Sequence, residues 1–567
     1  MIIAGRVVLV LLVVAMLGRL AAAAMTQPAQ DWPTYGYTLA NTRHVDFREI
    51  DSATVHQLVP AWKFRLGEYG VIEDTPIVTG DTMYVTTGHS NAVIALDAAT
   101  GALRWRYQPP PLPRPAINRG VAVEDGSVFY LTLDNWLVAL DASSGSVRWR
   151  VRVADPEAGY RETMAPLAWH GLVFVGCASN EVSVRGFVAA YAASTGAQRW
   201  RWWSVGPGWE GRYVQTVNGL SLHRDIASEK RLAPKYRDAW RHGGGAVWMT
   251  PALDAARRTL YFSVGNPSFR PNRSQPGDNL YTCSIVALDA LTGRLRWYYQ
   301  EVPHDIWDYD AASPPLLFEA NDATHHLVDA VGQAGKTGWF YVLRRSDGKL
   351  IRVSQPFVVQ HGMFDVPQDS GTFVAPSGGG GAVAPAAFDP ALHAVYVGAR
   401  SGTYFKHKVD LDWVPAGTPV TVLSAIDVDN GKIAWRHVTS TGQLGNIMDG
   451  PLSAADLVFM GQESGAAFNA YDARTGAILW TYQADPGGES EPDLAHRPFS
   501  VWLHDMLSPL KRWLLREPAP PGPQSFIQAS PMAYTVAGRE YIAVIADAYE
   551  RYGTSPGDTV YVFALPR

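Results

Sequence analysis

Cysteine is almost absent from this sequence, which has two, Cys177 and Cys283, among 567 residues. No Cys-x-x-Cys pair occurs, so the chain lacks both the attachment motif of covalent haem and the thiolate pattern of a structural zinc site. The sequence leaves two alternatives for the cysteines: a disulfide between them, if the protein is exported, or two buried free thiols.

Long runs of basic residues are also missing. The chain has 48 Lys and Arg residues against 53 Asp and Glu residues, which gives a formal net charge of -5. A nucleic-acid-binding face usually requires clustered Lys and Arg side chains. We therefore expect no nucleic-acid partner.

The apolar run near the N-terminus is too short to cross a bilayer. Residues 7–17 are apolar, follow Arg6 and precede small residues that end at Ala24, whereas a transmembrane helix needs about 20 residues. The pattern is typical of an export signal. We predict a signal peptide at 1–24, a single folded domain at 25–567 and a periplasmic location, with an uncleaved anchor as the alternative.

Glycine and tryptophan, in contrast, are abundant, with 52 and 20 residues, and they recur together. A small residue, an apolar residue and usually Asp precede a turn with Gly, and Trp follows the Gly. The copies contain Gly101 and Trp105, Gly145 and Trp149, Gly196 and Trp200, Gly293 and Trp297, Gly431 and Trp435, and Gly476 and Trp480; a degenerate copy has Gly348 without Trp.

Each copy describes two strands joined by a turn in which Asp accepts from main-chain amides and Gly takes positive φ. Gly101 and Gly145 are 44 residues apart, the spacing of β-propeller blades. Seven copies and a final strand at 559–564 predict an all-β, eight-bladed β-propeller with the tryptophans packed between blades. Longer gaps, 97 residues after Gly196 and 83 after Gly348, leave room for an insertion or an unmarked blade.

One segment, 486–525, breaks this pattern. Its ends are rich in proline, and apolar residues recur at helical spacing between Phe499 and Leu514. We predict an amphipathic helix inserted in the last blade. The helix either packs onto the propeller or offers a surface at 499–516 to a redox partner or a membrane.

Residues 302–310, Val-Pro-His-Asp-Ile-Trp-Asp-Tyr-Asp, concentrate three carboxylates after a strand-like run. If this stretch is extended, Asp308 and Asp310 point to one side. Two converging carboxylates repel each other unless a cation or a shared proton intervenes, and a hard multivalent cation prefers oxygen ligands. The alternative is a solvated acidic loop.

The repeats and Trp307-Asp308-Tyr309 together resemble the quinoprotein alcohol dehydrogenases, eight-bladed propellers that hold pyrroloquinoline quinone (PQQ) and a metal ion on the central axis. The resemblance extends from Asp31-Trp32-Pro33 to the final strand. It implies oxidation of an alcohol to an aldehyde or ketone, with Asp308 as catalytic base. Since the chain has no haem motif, a separate cytochrome c is the expected electron acceptor.

The resemblance also implies roles for individual residues. Those matching PQQ-binding positions are Glu73, Arg119 of Asn-Arg-Gly, Thr163, Trp248, which would lie flat under the quinone, and Lys336, which would contact its oxygens. Those matching metal ligands are Glu181, Asn266, Asp308 and Asp310. In family members that use calcium, the position of Asp310 usually holds Ala, Ser or Thr, whereas lanthanide-using members have Asp. Three carboxylates balance a trivalent ion better than a divalent one, so we expect a lanthanide, with Ca²⁺ as the alternative.

The sequence departs from the family pattern at three places. Pro113-Arg114 replaces an adjacent cysteine pair, Ala382-Val383-Ala384 follows Gly381 where the family has an asparagine, and Met249 follows Trp248 where many members have aspartate. Two rival hypotheses therefore stay open: a non-catalytic propeller that serves as a periplasmic scaffold, and a PQQ enzyme for sugars or polyols.

Overall fold

The computed structural model describes most of the chain. The described residues are 30–67, 72–88, 90–110, 117–178, 183–268, 276–376, 380–406, 414–440, 449–462, 466–484, 525–548 and 558–567. The predicted boundary at residues 24 and 25, the cysteine-pair position at 113–114, Glu181 and nearly all of the predicted insertion lie outside them.

Eight antiparallel sheets of four main strands form the blades of a β-propeller, as the repeats predict. Blades 1 to 4 consist of Ile77–Thr79, Thr82–Thr86, Val93–Asp97 and Leu103–Tyr107; Ala122–Glu124, Ser127–Leu131, Trp136–Asp141 and Val147–Arg152; Leu167–Trp169, Leu172–Gly176, Phe187–Ala192 and Gln198–Trp203; and Ala252–Asp254, Thr259–Val264, Ser284–Asp289 and Leu295–Gln300. Blades 5 to 8 consist of Leu316–Asn321, Leu327–Ala334, Phe340–Arg344 and Leu350–Val353; Ala387–Asp389, Ala394–Ser401, Val420–Asp427 and Ile433–Ser440; Leu452–Ala454, Leu457–Gly461, Ala467–Asp472 and Ile478–Gln483; and Met532–Val536, Arg539–Ala548, Thr559–Ala564 and Val59–Arg65.

The ring is closed by strands from both ends of the chain. Val59–Arg65 pairs antiparallel with Thr559–Ala564, so the fourth strand of blade 8 comes from the N-terminal part of the chain. His44–Val45 adds a parallel strand to Leu452–Ala454 of blade 7. Closure removes the free sheet edges that an open array would leave between its first and last units.

Tryptophans join neighbouring blades in the way the repeat predicts. The Nε1 of Trp105 in blade 1 donates to the Ala142 carbonyl in blade 2 at 3.0 Å, and its ring covers Gly145. A Cβ at Gly145 would lie 2.5 Å from that ring, and the residue has φ of 70°, so only glycine fits without strain. The same arrangement joins Trp62 to Gly101, Trp149 to Gly196, Trp200 to Gly293, Trp297 to Gly348 and Trp435 to Gly476.

The degenerate copy breaks this series. Because no tryptophan follows Gly348, the glycine of the next blade, Gly431, faces the main chain of Val353 and Ser354 instead of a ring. The number of blades is unchanged, because blade 5 still has its four strands.

Both long gaps between repeats contain insertions. The first holds a hairpin of Thr216–Val217 and Leu220–Ser221, helix α1 at Ile226–Leu232 and 3-10 helices at Ala233–Tyr236 and Ala239–His242. The Asp225 side chain caps α1 by accepting from the Ser228 amide at 2.9 Å. The second holds a small sheet of Thr372–Val374, Tyr404–Lys406 and Val414–Pro415.

Three further features complete the description. A 3-10 helix at Val55–Gln57 precedes the closing strand, and Ser525–Phe526 pairs with Arg539–Ala548 in blade 8. Cys177 and Cys283 are free and buried, so the second alternative for the cysteines is the one observed. In the described part of the chain, no helix combines the length and apolar character needed to span a membrane.

Candidate active site

Those of the residues singled out by sequence that the structure describes lie at one end of the propeller axis. The first strands of neighbouring blades contact one another around this axis. The segments that precede the first strands of blades 1 to 4 carry Glu73, Arg119, Thr163 and Trp248, in that order. The segments that follow the second strands of blades 4 and 5 carry Asn266 and Lys336. Because the first and second strands of a blade are antiparallel, both kinds of loop emerge at the same end.

Two carboxylates converge here on one ammonium group. The Lys336 Nζ lies 3.3 Å from Asp308 Oδ1 and 2.5 Å from Asp310 Oδ2. The expected convergence is present, but the extended backbone expected to produce it is not, since residues 301–310 contain bends and turns but no strand, and Asp308 has φ of 75°. Such a conformation costs a residue other than glycine about 1–3 kcal/mol, so the surrounding loop must hold Asp308 in place.

Lys336 supplies the positive charge of this cluster and is only 7% exposed. Burial by itself would lower the pKa of this lysine, but the Asp308 and Asp310 carboxylates outweigh burial and raise the pKa above its ordinary value. The ammonium group therefore stays charged at neutral pH and balances one of the two carboxylates.

Asn266 contacts both carboxylates from blade 4. Its Nδ2 donates to Asp308 Oδ1 at 2.6 Å, and its backbone N–H donates to Asp310 Oδ1 at 2.5 Å. The preceding residue must be small, because a Cβ at Gly265 would lie 2.8 Å from the same Asp310 oxygen. This close approach explains why the loop carries the dipeptide Gly-Asn.

Asp305 was not assigned a role from the sequence, yet it shapes the loop. Its carboxylate accepts from the backbone N–H groups of Trp307 and Tyr309, both at 3.0 Å. The Trp307 Nε1 donates to the Asp365 carbonyl at 2.8 Å, which fixes the indole in the core. The signal in the sequence is an Asp two and four residues ahead of buried aromatics, a spacing at which a side chain can accept from its own turn.

The other half of the site is an aromatic face with a buried cation beside it. The Arg119 Cζ lies 5.1 Å from the centre of the Trp248 ring. Its guanidinium pairs with Glu73 Oε2 at 2.5 Å and donates to Thr163 Oγ1 at 2.6 Å. Four residues that lie far apart in the sequence therefore form one connected cluster.

The Glu73 carboxyl group titrates abnormally in this cluster. Burial raises its pKa, and the neighbouring Arg119 guanidinium opposes that effect without cancelling it. The pair is almost fully enclosed, with 5% of each side chain exposed. A second anion beside Arg119 would therefore compete with Glu73 for the same cation.

The donor set suits a hard cation. Asp308, Asp310 and Asn266 bring only oxygens and one amide group together, and hard cations prefer oxygen ligands. The fourth expected ligand, Glu181, lies outside the described residues, and among the described ones no three His, Cys, Asp or Glu side chains cluster closely enough to hold a metal. A cation bound by Asp308 and Asp310 would meet the Lys336 ammonium as its direct competitor.

Two of the three departures from the family pattern can be located. Gly381, with φ of 75°, packs against the main chain of Lys336, and the Ala382 N–H donates to the Gly335 carbonyl at 3.2 Å. Met249 is buried beside Trp248. Small apolar side chains thus lie next to the turn that carries Lys336, at a position where the family resemblance predicts an asparagine.

A comparison with family models decides the affiliation of the chain. Residues 32–363 match the model described as the glucose/ethanol/alcohol dehydrogenase β-propeller domain of PQQ enzymes. The chain belongs to the PQQ-dependent alcohol dehydrogenase family. Residues 399–501 also match the model of the outer membrane protein assembly factor BamB.

Individual relatives agree with this family. A quinohemoprotein alcohol dehydrogenase of Pseudomonas putida, ADH IIB, is 31% identical over 92% of this chain and 74% of its own. A lanthanide-dependent methanol dehydrogenase of Methylacidiphilum fumariolicum is 28% identical over 95% and 93% of the two chains. Among solved structures, a europium-containing methanol dehydrogenase superposes with a TM-score of 0.73 at 25% identity, covering 95% and 99%.

Proposed function

We propose that this protein is a periplasmic PQQ-dependent dehydrogenase that oxidises an alcohol to an aldehyde or ketone and passes the electrons to a separate cytochrome c. The observation that carries the proposal is the meeting of Asp308, Asp310 and Lys336 at the axis of a propeller of this family. A scaffold has no need for a buried lysine, a buried carboxylate and a partly buried one at one point, since burying charge is costly unless the charges are used or paired.

Asp308 is the better placed of the two carboxylates to act as the base. Its side chain is 17% exposed, against 8% for Asp310, so a substrate can approach it. Asn266 and Lys336 both contact its Oδ1, and these contacts would orient the carboxylate to accept a proton from a substrate hydroxyl at hydrogen-bonding distance.

The cluster around Trp248 fits a planar polyanion. The ring offers a flat face for stacking, and the Arg119 guanidinium beside it suits a carboxylate of the cofactor. Thr163 and Glu73 keep that guanidinium in position through the contacts already described. PQQ, when bound, supplies a carbonyl carbon that accepts two electrons from the alcohol.

Glu181, Asn266, Asp308 and Asp310 would hold the metal ion, and we propose a lanthanide. The support is the carboxylate of Asp310, which brings a third negative charge to the set, and the lanthanide-dependent methanol dehydrogenases among the relatives. Lys336 already balances one of these charges, so Ca²⁺ is the alternative.

Residues 1–24 support export by their sequence pattern, and the absence of a Cys-x-x-Cys-His motif supports a separate acceptor. Relatives named quinohemoproteins agree with transfer to a haem. Sugars and polyols are the second candidate class of substrate, because loops around the site set substrate choice.

The test is dye-linked oxidation of methanol, ethanol and glucose by the purified protein after reconstitution with PQQ and either La³⁺ or Ca²⁺. Turnover with La³⁺ that is lost in Asp310→Ala supports both the reaction and the metal. The control is Asp347→Ala, which removes a half-exposed carboxylate from a turn of blade 5 and should leave turnover unchanged.

Two outcomes count against parts of the proposal. Turnover with Ca²⁺ alone keeps the reaction and rejects the lanthanide. If PQQ absorbance does not stay with the protein through gel filtration in either metal, the scaffold hypothesis replaces the enzyme.

A further inference from the structure

A second cluster of buried oxygens lies beside the turn that carries Lys336, and it takes no part in the proposed chemistry. Its members are Glu301, Gln333 and Thr337, all 0% exposed. Both carboxylate oxygens of Glu301 and the Gln333 Oε1 have no hydrogen-bond partner within the described part of the chain, whereas the Thr337 hydroxyl is a hydrogen-bonding neighbour of the Tyr341 hydroxyl. Most buried polar atoms in proteins are paired, so three unpaired oxygens in one place require an explanation.

Three oxygens of this cluster, one from each side chain, lie around a residue that has no side chain. Measured from the position where a Cβ of Gly335 would stand, Glu301 Oε2 lies at 2.6 Å, Thr337 Oγ1 at 3.5 Å and Gln333 Oε1 at 3.6 Å. The Gln333 amide has a defined orientation, because its Nε2 donates to the Ser313 carbonyl at 3.2 Å. Its oxygen therefore faces the cluster, and every polar atom there is able to act as an acceptor.

Among the described residues, none places a cationic group beside the Glu301 carboxylate. Burial alone raises its pKa well above the ordinary value, with no lysine, arginine or histidine acting on it. The nearby Tyr341 responds to the same environment, since burial first and Glu301 second raise its pKa. This differs from Asp308 and Asp310, which share the positive charge of Lys336.

The turn that follows the second strand of blade 5 belongs to both clusters. Lys336 extends to the carboxylates of the candidate active site, whereas Gln333, Gly335 and Thr337 border Glu301. A ligand held by the Glu301 cluster would fix this turn and, through it, the position of the lysine.

We propose that Glu301, Gln333 and Thr337 bind a monovalent cation, Na⁺ or K⁺, at an internal site separate from the PQQ-binding centre. Oxygen ligands suit alkali and alkaline-earth cations. A single carboxylate with neutral oxygens balances one positive charge, which favours a monovalent ion over Ca²⁺. The site needs neither PQQ nor the active-site metal, so it stands whether or not the proposed function does.

The first experiment measures the melting temperature of the purified full chain without PQQ in NaCl, KCl, CaCl₂ and choline chloride at equal ionic strength. Na⁺ or K⁺ should raise it by about 1–3 °C relative to choline when present at 10 to 100 times its Kd. Glu301→Gln should lose this rise, and Thr337→Val, which removes one oxygen at nearly constant volume, should reduce it.

Two controls separate this site from others. Glu162→Gln alters another fully buried carboxyl group with unpaired oxygens, but one that faces Arg201, and it should keep the rise. Asp310→Ala removes a carboxylate of the candidate active site and should also keep it. A rise that disappears in Asp310→Ala and persists in Glu301→Gln would assign the cation to the active site and overturn the proposal.

A crystal soaked in thallium(I), a K⁺ analogue, gives the direct readout. An anomalous peak among Glu301, Gln333 and Thr337 supports the proposal. Density there that is the same in choline and thallium identifies a water molecule, and a peak only with Ca²⁺ rejects the monovalent assignment; either result overturns the inference.

Discussion

The seams between blades and the loops at the axial end are built on opposite principles. At a seam, one tryptophan and one glycine repeat the same contact six times around the ring. At the axial end, each loop contributes a different group: a carboxylate, an amide, an ammonium, a guanidinium or an indole. Repetition thus maintains the scaffold, and departure from repetition supplies the chemistry.

The largest effect should come from the base at the axial end. Asp308→Asn keeps the size of the side chain but removes its ability to take a proton, so turnover of the reconstituted enzyme should fall by about 10²- to 10⁴-fold. The melting temperature should not fall, because the variant leaves all blade seams intact. Steady-state kinetics and thermal unfolding of the same preparation test both halves of this prediction.

A loss of stability in Asp308→Asn as severe as its loss of activity would contradict the separation of the blade seams from the axial loops. Asp141→Asn serves as the control, because Asp141 lies in a turn of blade 2, where its pKa is held below the ordinary value by Ser143 and Arg148. This substitution should leave turnover unchanged.

Two tryptophans, one at a blade seam and one at the axial end, differ in what their removal should cost. Trp200 is 8% exposed and donates from Nε1 to the Ala290 carbonyl of the next blade at 3.0 Å. Trp200→Ala should destabilise the fold by about 3–5 kcal/mol. Trp248→Ala, in contrast, removes the face beside Arg119 and should abolish retention of PQQ at a smaller loss of stability. Urea midpoints and PQQ absorbance after gel filtration distinguish the two; equal losses of stability would contradict the division into seam and site.

The seam glycines provide a third test. Gly145→Ala adds a Cβ that would lie 2.5 Å from the Trp105 ring, at φ of 70°, so it combines backbone strain with a clash and should cost about 2–4 kcal/mol. Gly80→Ala is the matched control, because its φ is 60° but no atom lies within 4 Å of the added group. Its cost should be about 1 kcal/mol. Chemical denaturation of both variants checks the difference, and equal costs would mean that the ring moves aside.

The sequence predicts the seams better than the loops, and the reason is physical. Each copy of the Gly and Trp repeat predicts the same local contact and marks one blade, so the number of blades follows from the number of copies and the final strand. The loop at 302–310 illustrates the opposite case: its carboxylates meet as expected, but through turns and a positive φ at Asp308 rather than through a strand. Long-range contacts, such as that between Arg119 and Trp248, have no local signal, and the family resemblance pointed to them only by assigning both residues to PQQ binding. The spacing of the repeats leaves room for the insertions at 216–242 and 372–415 but does not predict their structure.

The smallest effect concerns two buried glutamates whose pKa values shift in opposite directions. Burial raises the pKa of Glu162 well above its ordinary value, with Arg201 opposing. The folded state therefore binds this proton more tightly than the unfolded state, and Glu162 makes stability fall as pH rises from the unfolded pKa toward the folded pKa. Glu162→Gln should remove that decline, so the variant should gain stability relative to the wild type at neutral pH and above.

Glu229 in helix α1 gives the contrast. Burial opposes its ionisation, but the hydrogen-bonded Arg224 and the nearby His304 outweigh burial and lower its pKa. A lowered pKa contributes stability that is present above the unfolded value and is lost as pH falls through the folded value, so Glu229→Gln should weaken the fold at neutral pH and flatten its loss of stability in acid. Unfolding free energies of the wild type and both variants between pH 3 and pH 9 should show slopes that change in opposite directions. Slopes that change together would mean that the two environments, one in the loop before blade 3 and one within the first insertion, do not differ as the structure indicates.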